Sequence, residues 1–284
     1  MLDKLPDSRI TPYRADLASA ALRDRIEAAR YVEPWAMEIT ADVVPVRGEP
    51  RGDARQVTQA LHGEPVLVYE QDKDWSWVQI GTDDYIGYVQ TSALGKPGAP
   101  KTHKVSVLRT YLYPVADLKS PPLGLLSLGS QLAINAETNG FLETSGGFVT
   151  CRHVVPLTEF EPDFVAVAAR FLETPYLWGG RSSLGLDCSA LVQLSLGATG
   201  VPVPRDSDMQ LALGTEIPIA DAAQGKLARG DLVLWRGHIG IMTDNTSLLH
   251  ANGYHMTTVI EPVAVTIQRI SDFGEDVIGV RRLI

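Results

Sequence analysis

Cysteine is scarce in this chain. Only Cys151 and Cys188 occur in 284 residues, so a disulfide framework is excluded as the basis of the fold, and a reducing compartment fits best. Long hydrophobic runs are missing too. No stretch approaches the roughly 18 consecutive apolar residues of a membrane-spanning helix. The start, Met1 to Arg9, carries no apolar run of secretory type, and a cytoplasmic location is expected. Positive charge is in deficit: 25 Lys and Arg stand against 34 Asp and Glu, for a net charge of -9. That balance argues against nucleic acid and anionic membranes as partners, since both want basic patches. Close-spaced ligand pairs of the C-x-x-C or H-x-x-x-H kind are also absent, so no metal and no cofactor is expected.

What remains is an ordinary globular composition, 45% hydrophobic and 21% charged, long enough for two or three domains. Residues 17–31 carry a modest helical periodicity through Leu17, Ala20, Ala21, Ala28 and Tyr31, and a helical segment is expected within 1–35. From about residue 36 the texture turns to short β-branched and aromatic runs, such as Val66–Tyr69, Trp75–Ile80 and Tyr85–Val89. Beyond the linker-like Gly95–Pro100 the pattern returns. Val46-Arg47 is echoed by Leu108-Arg109, Leu61-His62-Gly63 by Ser127-Leu128-Gly129, and Gly87-Tyr88-Val89 by Gly147-Phe148-Val149. The spacings, about 60 to 66 residues, point to one small β-barrel module used twice, at 36–97 and 101–156.

After Pro156 the pattern changes to an α+β domain over 160–284. A helix opening at Pro162 carries Phe164, Val167, Ala168 and Phe171. A second helix begins near Cys188 and runs to Gly197 or Gly200. Strands follow at 231–235, 239–243, 247–250 and near 277–280.

Cys188 sits in Leu186-Asp187-Cys188-Ser189, behind Trp178-Gly179-Gly180 and Gly185, at the first turn of its helix. A helix N-terminus favours thiolate, and a thiolate is a strong nucleophile. A three-residue hairpin loop at Thr243-Asp244-Asn245 would pair Met242 with Thr246 and set His238 opposite His250. Cys188, His238 and His250 are then nucleophile, base and orienter. Cys plus two His could also hold zinc, but the ligand spacing does not suit it. Asp187 is a ready N-cap, although its charge opposes ionisation of the neighbouring thiol. Cys151, on a strand of the second module, and His62, His103, His153 and His255 are taken as ordinary structural residues.

Thr174–Gly180, Leu186–Ser189, Gly230–Trp235, His238–Ile241 and Leu249–Ala251 together resemble the motif series of the NlpC family of papain-like cysteine peptidases. The β-modules resemble bacterial SH3 domains, a weaker match. The resemblance implies a papain-like catalytic domain behind two SH3-like β-barrels, with hydrolysis between γ-D-glutamate and a diamino acid, meso-diaminopimelate or lysine. It further implies a small murein peptide with a free N-terminal L-alanine as substrate, in cell-wall peptide recycling. By the same resemblance Tyr176 lines the scissile bond, and Asp187 receives the substrate ammonium group. Ser189, Arg205 and Ser207 meet the D-glutamyl unit, and Glu64 and Tyr85 of the first β-module complete the amine pocket. Two alternatives stay open: a murein hydrolase or amidase acting on polymeric wall, and a non-catalytic peptide- or wall-binding protein.

Overall fold

The computed structural model describes residues 5–223 and 225–283. The chain divides into two compact units, Met1–Leu157 and Thr158–Ile284. In the first, the alternating stretches form β1 (Trp35–Ile39), β2 (Val43–Arg47), β3 (Gln56–Leu61), β4 (Pro65–Gln71), β5 (Trp75–Ile80), β6 (Ile86–Gln90) and β7 (Leu94–Gly95). They make one antiparallel sheet in the order β3-β2-β6-β5-β4-β1-β7. Every second residue turns inward, so that Val44 and Val46, Val66 and Val68, and Val78 and Ile80 build its core.

The helix expected over 17–31 is not there. Ala18–Ser19 pairs in parallel with Tyr31–Val32, and only Ala20–Leu22 makes a turn of 3₁₀ helix. Residues 1–4 of that expected segment lie outside the described residues. Tertiary contacts outweigh a weak periodicity here. Leu17 is buried with Tyr69, Trp77 and Ile86. The Arg14 guanidinium lies 4.5 Å from the centre of the Trp77 ring and pairs with Glu70 and Asp16. The segment is a strap anchored on the sheet.

The rest of the first unit is also β. His103–Val105 lies between Gln131–Leu132 and Val154–Pro156, and Arg109–Leu112 pairs with Gly124–Ser127. Phe141–Thr144 lies between Ala136–Thr138 and Gly147–Thr150. Val105, Leu112, Leu126, Leu132, Leu142 and Val149 fill its interior. Cys151 opens a 3₁₀ turn instead of lying on a strand, and it packs against that interior. Among the bonds between the two β regions, Leu125 N–H donates to Asp42 Oδ2 at 2.7 Å and Gln131 N–H to the His62 carbonyl at 2.8 Å.

The second unit opens with α1 (Phe164–Ala169), capped by Asp163 and not opened by Pro162. It continues through α2 (Cys188–Ala198) and α3 (Ser207–Gln210). Its six-stranded sheet comprises β8 (Thr215–Ile217), β9 (Leu232–Trp235), β10 (His238–Met242), β11 (Ser247–Asn252), β12 (Thr257–Pro262) and β13 (Gly279–Arg282). The order is β8-β13-β9-β10-β11-β12, antiparallel throughout. Helix α4 (Val263–Asp272) follows β12 directly, and Val233, Trp235, Met242, Leu248 and Val263 share one buried cluster with Ile267 and Ile270. β8, β12 and α4 were not anticipated. Among the described residues, no helix is long and apolar enough to cross a membrane.

Candidate active site

The local sequence sets up Cys188 through its neighbours. Gly179 takes φ +69°, a conformation that side chains resist, and its N–H reaches Asp187 Oδ2 at 3.0 Å. A Cβ on Gly180 would stand 2.6 Å from the Gly185 carbonyl oxygen, so the two chain segments can approach only without one. Asp187 is the N-cap of α2, its Oδ1 accepting from Ala190 N–H at 2.9 Å. Cys188 is the first residue of the helix and is buried.

α2 packs on β10 and β11, which brings the thiol to the start of β10. There Arg236-Gly237 makes a two-residue hairpin closed by the Trp235–His238 pair, with Gly237 at φ +72°. Cys188 Sγ lies 3.9 Å from the Gly237 carbonyl oxygen and accepts from the N–H of Ile239. The residues on both sides of His238 thus hold the sulfur.

His238 Nε2 and His250 Nδ1 are 2.8 Å apart. The expected register is shifted, however. Met242 pairs with Leu248 and Ile241 with Leu249, and Thr243 N–H bonds the Ser247 carbonyl. The loop has three residues as expected, but they are 244–246. Asp244 explains the placement, since its Oδ1 accepts from the N–H groups of Thr246 and Ser247. Moving a loop of fixed length by one residue moves every cross-strand partner by two. The two histidines therefore stay on one face as diagonal neighbours.

Beyond His250 the chain of contacts continues through residues the sequence reading missed. His250 Nε2 lies 2.8 Å from Glu261 Oε1 and 3.1 Å from Asn252 Nδ2. Glu261 is gripped by Arg269 of α4, with Nη1 2.8 Å from Oε2 and Nη2 on Oε1, and His255 Nε2 approaches Oε2 at 3.3 Å. Two signals for these residues are present. Thr257–Ile260 is a β-branched run, and Val263, Ile267 and Ile270 have helical spacing.

Burial first, then the charge of Asp187, pushes the Cys188 thiol up to about 12, against an opposing pull from Ile239 N–H and Arg205. Burial also lowers His238 to about 3, helped by His250 and Arg269, and lowers His250 to about 4. Desolvation thus favours a neutral thiol and neutral imidazoles at rest, working against the thiolate that the helix N-terminus favours. Glu261 is held well below the usual carboxylate range, chiefly by Arg269, and stays ionised.

The other expected site residues divide into groups. Asp187, Ser189 and Arg205 form one buried cluster. Arg205 Nη1 reaches Asp187 Oδ1 at 2.9 Å and Ser189 Oγ at 2.8 Å, and Nη2 reaches Asp187 Oδ2 at 2.7 Å. The guanidinium, 1% exposed, thus faces Asp187, because a buried carboxylate needs a counter-ion. Tyr176 is half-buried, its N–H on the Met256 carbonyl. Ser207, half-buried, begins the single turn of α3. Glu64 and Tyr85 lie in the first unit, both buried. Glu64 accepts from Leu61 N–H and the Thr82 hydroxyl, and Tyr85 belongs to the core of the sheet. Asp231, in the Gly230–Trp235 motif, is bound by Arg282 at 2.7 and 2.6 Å and holds β13 to β9.

Residues 46–94 match the bacterial dipeptidyl-peptidase SH3 domain and residues 173–270 the NlpC/P60 family, which shows one SH3 domain where two were expected. The chain is 29% identical over 214 residues to a γ-D-glutamyl-L-lysine dipeptidyl-peptidase of Bacillus subtilis, covering 68% of this chain and 71% of that one. It is 26% identical to dipeptidyl-peptidase 6 of Lysinibacillus sphaericus, over 72% of this chain and 83% of that one. The crystal structure of an NlpC/P60 family protein from Bacillus cereus superposes with a TM-score of 0.74 at 18% identity, covering 87% of this chain and 99% of that one. The fold is therefore the same. The chain carries an NlpC/P60 domain preceded by a bacterial SH3 domain.

Proposed function

We propose that this chain is a cysteine peptidase that cleaves between γ-D-glutamate and a diamino acid in murein peptides with a free N-terminal L-alanine. The observation that carries the reading is the placement of Cys188 at the start of α2, held by the residues flanking His238, with His238 bonded in turn to His250. Relatives named as γ-D-glutamyl-L-lysine dipeptidyl-peptidase and dipeptidyl-peptidase 6 support the substrate class. The second β region follows the first in ending on a 3₁₀ turn and a short strand, Thr91–Gly95 and Cys151–Pro156. We take it as a second SH3-like module.

The chemistry follows from the neutral pair. His238 takes the thiol proton as Sγ attacks the γ-carbonyl carbon of D-glutamate. The N–H groups in the first turn of α2 favour the oxyanion that forms there. Collapse of the adduct breaks the C–N bond, and His238 returns the proton to the departing amine. Water then attacks the thioester, with His238 again as base, and frees L-Ala-D-Glu. The test is incubation with L-Ala-γ-D-Glu-diaminopimelate and identification of the products by mass. Cys188→Ala should abolish turnover and remain folded, while Cys151→Ala should stay within a few-fold of the unsubstituted protein. A peptide left intact by the unsubstituted protein, or activity lost to chelator and restored by zinc, would overturn the reading.

A further inference from the structure

The imidazoles of His238 and His250 can pass a proton only if each ring carries its hydrogen on a particular nitrogen, and something must set that choice. His250 has two neighbours competing for Nε2. Asn252 Oδ1 accepts from His255 N–H at 2.8 Å, so its amide nitrogen is the atom turned to His250, 3.1 Å from Nε2. An amide N–H is a donor only, and it favours a bare Nε2 with the hydrogen on Nδ1. Glu261 Oε1, at 2.8 Å from the same nitrogen, belongs to an ionised carboxylate, which can only accept, and it favours the hydrogen on Nε2.

We propose that Glu261 is a positioning residue that decides this competition, fixing His250 as its Nε2–H tautomer and so leaving His238 Nδ1 bare for the Cys188 thiol. The order of donors then has one direction. His250 Nε2–H donates to Glu261, His250 Nδ1 accepts from His238 Nε2–H, and His238 keeps its second nitrogen as a base. Without the carboxylate, Asn252 donates to Nε2 and His250 turns to Nδ1–H. That hydrogen occupies His238 Nε2, and His238 then carries its own hydrogen on Nδ1, where it cannot accept one.

The fold supplies the alignment. His250 pairs with Val259 and Leu248 with Glu261 across β11 and β12, so Glu261 is a same-face diagonal neighbour of His250. His238 stands in the same diagonal relation on the other side. Arg269, stacked 4.4 Å from the Tyr254 ring centre, holds both carboxylate oxygens in place. The groups acting on the two imidazoles are Glu261 from β12, Arg269 from α4, and His255 and Asn252 at the β11–β12 turn, while Cys188 of α2 is held by the residues flanking His238. Glu261 is the one anion in this set and favours the imidazolium that forms when His238 takes the thiol proton; Arg269 opposes it.

The inference rests on the peptidase reading, but part of its test needs no substrate. In the unsubstituted protein, ¹⁵N shifts of His250 at pH 7 should show the hydrogen on Nε2; a hydrogen on Nδ1 would overturn the proposal. Glu261→Leu, which removes the acceptor, should reverse the tautomer and slow iodoacetamide labelling of Cys188, followed by peptide mapping to separate it from Cys151. With L-Ala-γ-D-Glu-diaminopimelate the same variant should lose about 10²-fold or more in kcat with KM within a few-fold. Glu261→Leu with unchanged labelling and the His250 hydrogen still on Nε2 would refute the role. Should the unsubstituted protein leave the peptide intact, the peptidase reading falls, while the ring shifts and labelling rates still decide the role of Glu261.

Discussion

Asp187 serves the site in two ways at once, as helix cap and as one half of a buried ion pair. Its two oxygens hold Ala190 N–H, Gly179 N–H and both ends of the Arg205 guanidinium. Removing one partner of such a pair leaves the other charged and desolvated. Arg205→Met should therefore destabilise the protein by about 3–5 kcal/mol, measured by urea unfolding. Asp187→Asn combined with Arg205→Met should recover part of that loss, because asparagine still caps a helix. A loss below about 1 kcal/mol for Arg205→Met, where exposed pairs fall, would mean that the pair is solvated. At this scale the sequence was informative where a residue's role follows from its immediate neighbours. Cys188 after a glycine-rich approach and an N-cap was such a case. Arg205, expected to meet the D-glutamyl unit, is bound in the fold to the Asp187 carboxylate, a partner far along the chain. Glu261 was out of reach, because its role depends on which residue of β11 it stands beside, and no local pattern sets that.

Elements show the same division between local and distant causes. The alternating strands of the first sheet and the helix at Cys188 were legible because their periodicity is strong and their turns are chemically marked. The hairpin after β10 was legible in length but not in position, which turned on the Asp244 side chain. The segment over 17–31 failed for another reason: its helical pattern is weak, and the competing contacts come from residues far along the chain. Arg14 is the clearest of them, lying on Trp77, bonding the Tyr88 hydroxyl at 2.8 Å and pairing with Glu70 and Asp16. If the strap is held this way, Arg14→Ala should lower the stability of the first unit by about 1–2 kcal/mol through lost packing and cation–π contact. Arg14→Lys should not restore it fully, since an ammonium group lacks the planar fork. The measurement is the urea midpoint followed by tryptophan fluorescence. A midpoint unchanged in Arg14→Ala would show that Leu17 and its apolar neighbours suffice.

At the scale of the whole molecule, the same burial that keeps the catalytic pair neutral sets the pH range of stability. His238 and His250 fall from the ordinary 6.5 to about 3 and about 4 in the folded chain. Unfolded, they take up protons as the pH drops through 6.5; folded, they refuse them until near 4 and 3. Their contribution is therefore complete above 6.5 and is lost as the pH falls, at up to about 1.4 kcal/mol per group per pH unit. His62, lowered chiefly by burial, acts in the same direction. Asp16, Asp163 and Asp244 are also depressed, but their ordinary value of 3.8 places their losses lower on the scale, so the histidines dominate between 6.5 and 4.5. Cys188 works from the other side. Its raised value stabilises the folded chain below the ordinary 9.0, and that contribution disappears as the pH rises toward about 12. Urea unfolding free energy should thus be nearly level between about pH 7 and 8.5 and fall on the acid side, well above the carboxylate range. Replacing the pair, as His238→Gln with His250→Asn, should flatten the acid slope even where it lowers stability at pH 7. An unfolding free energy that stays constant from pH 7 to pH 5 in the unsubstituted protein would mean that these imidazoles take up protons in the folded state, and the neutral resting pair at Cys188 would have to be abandoned.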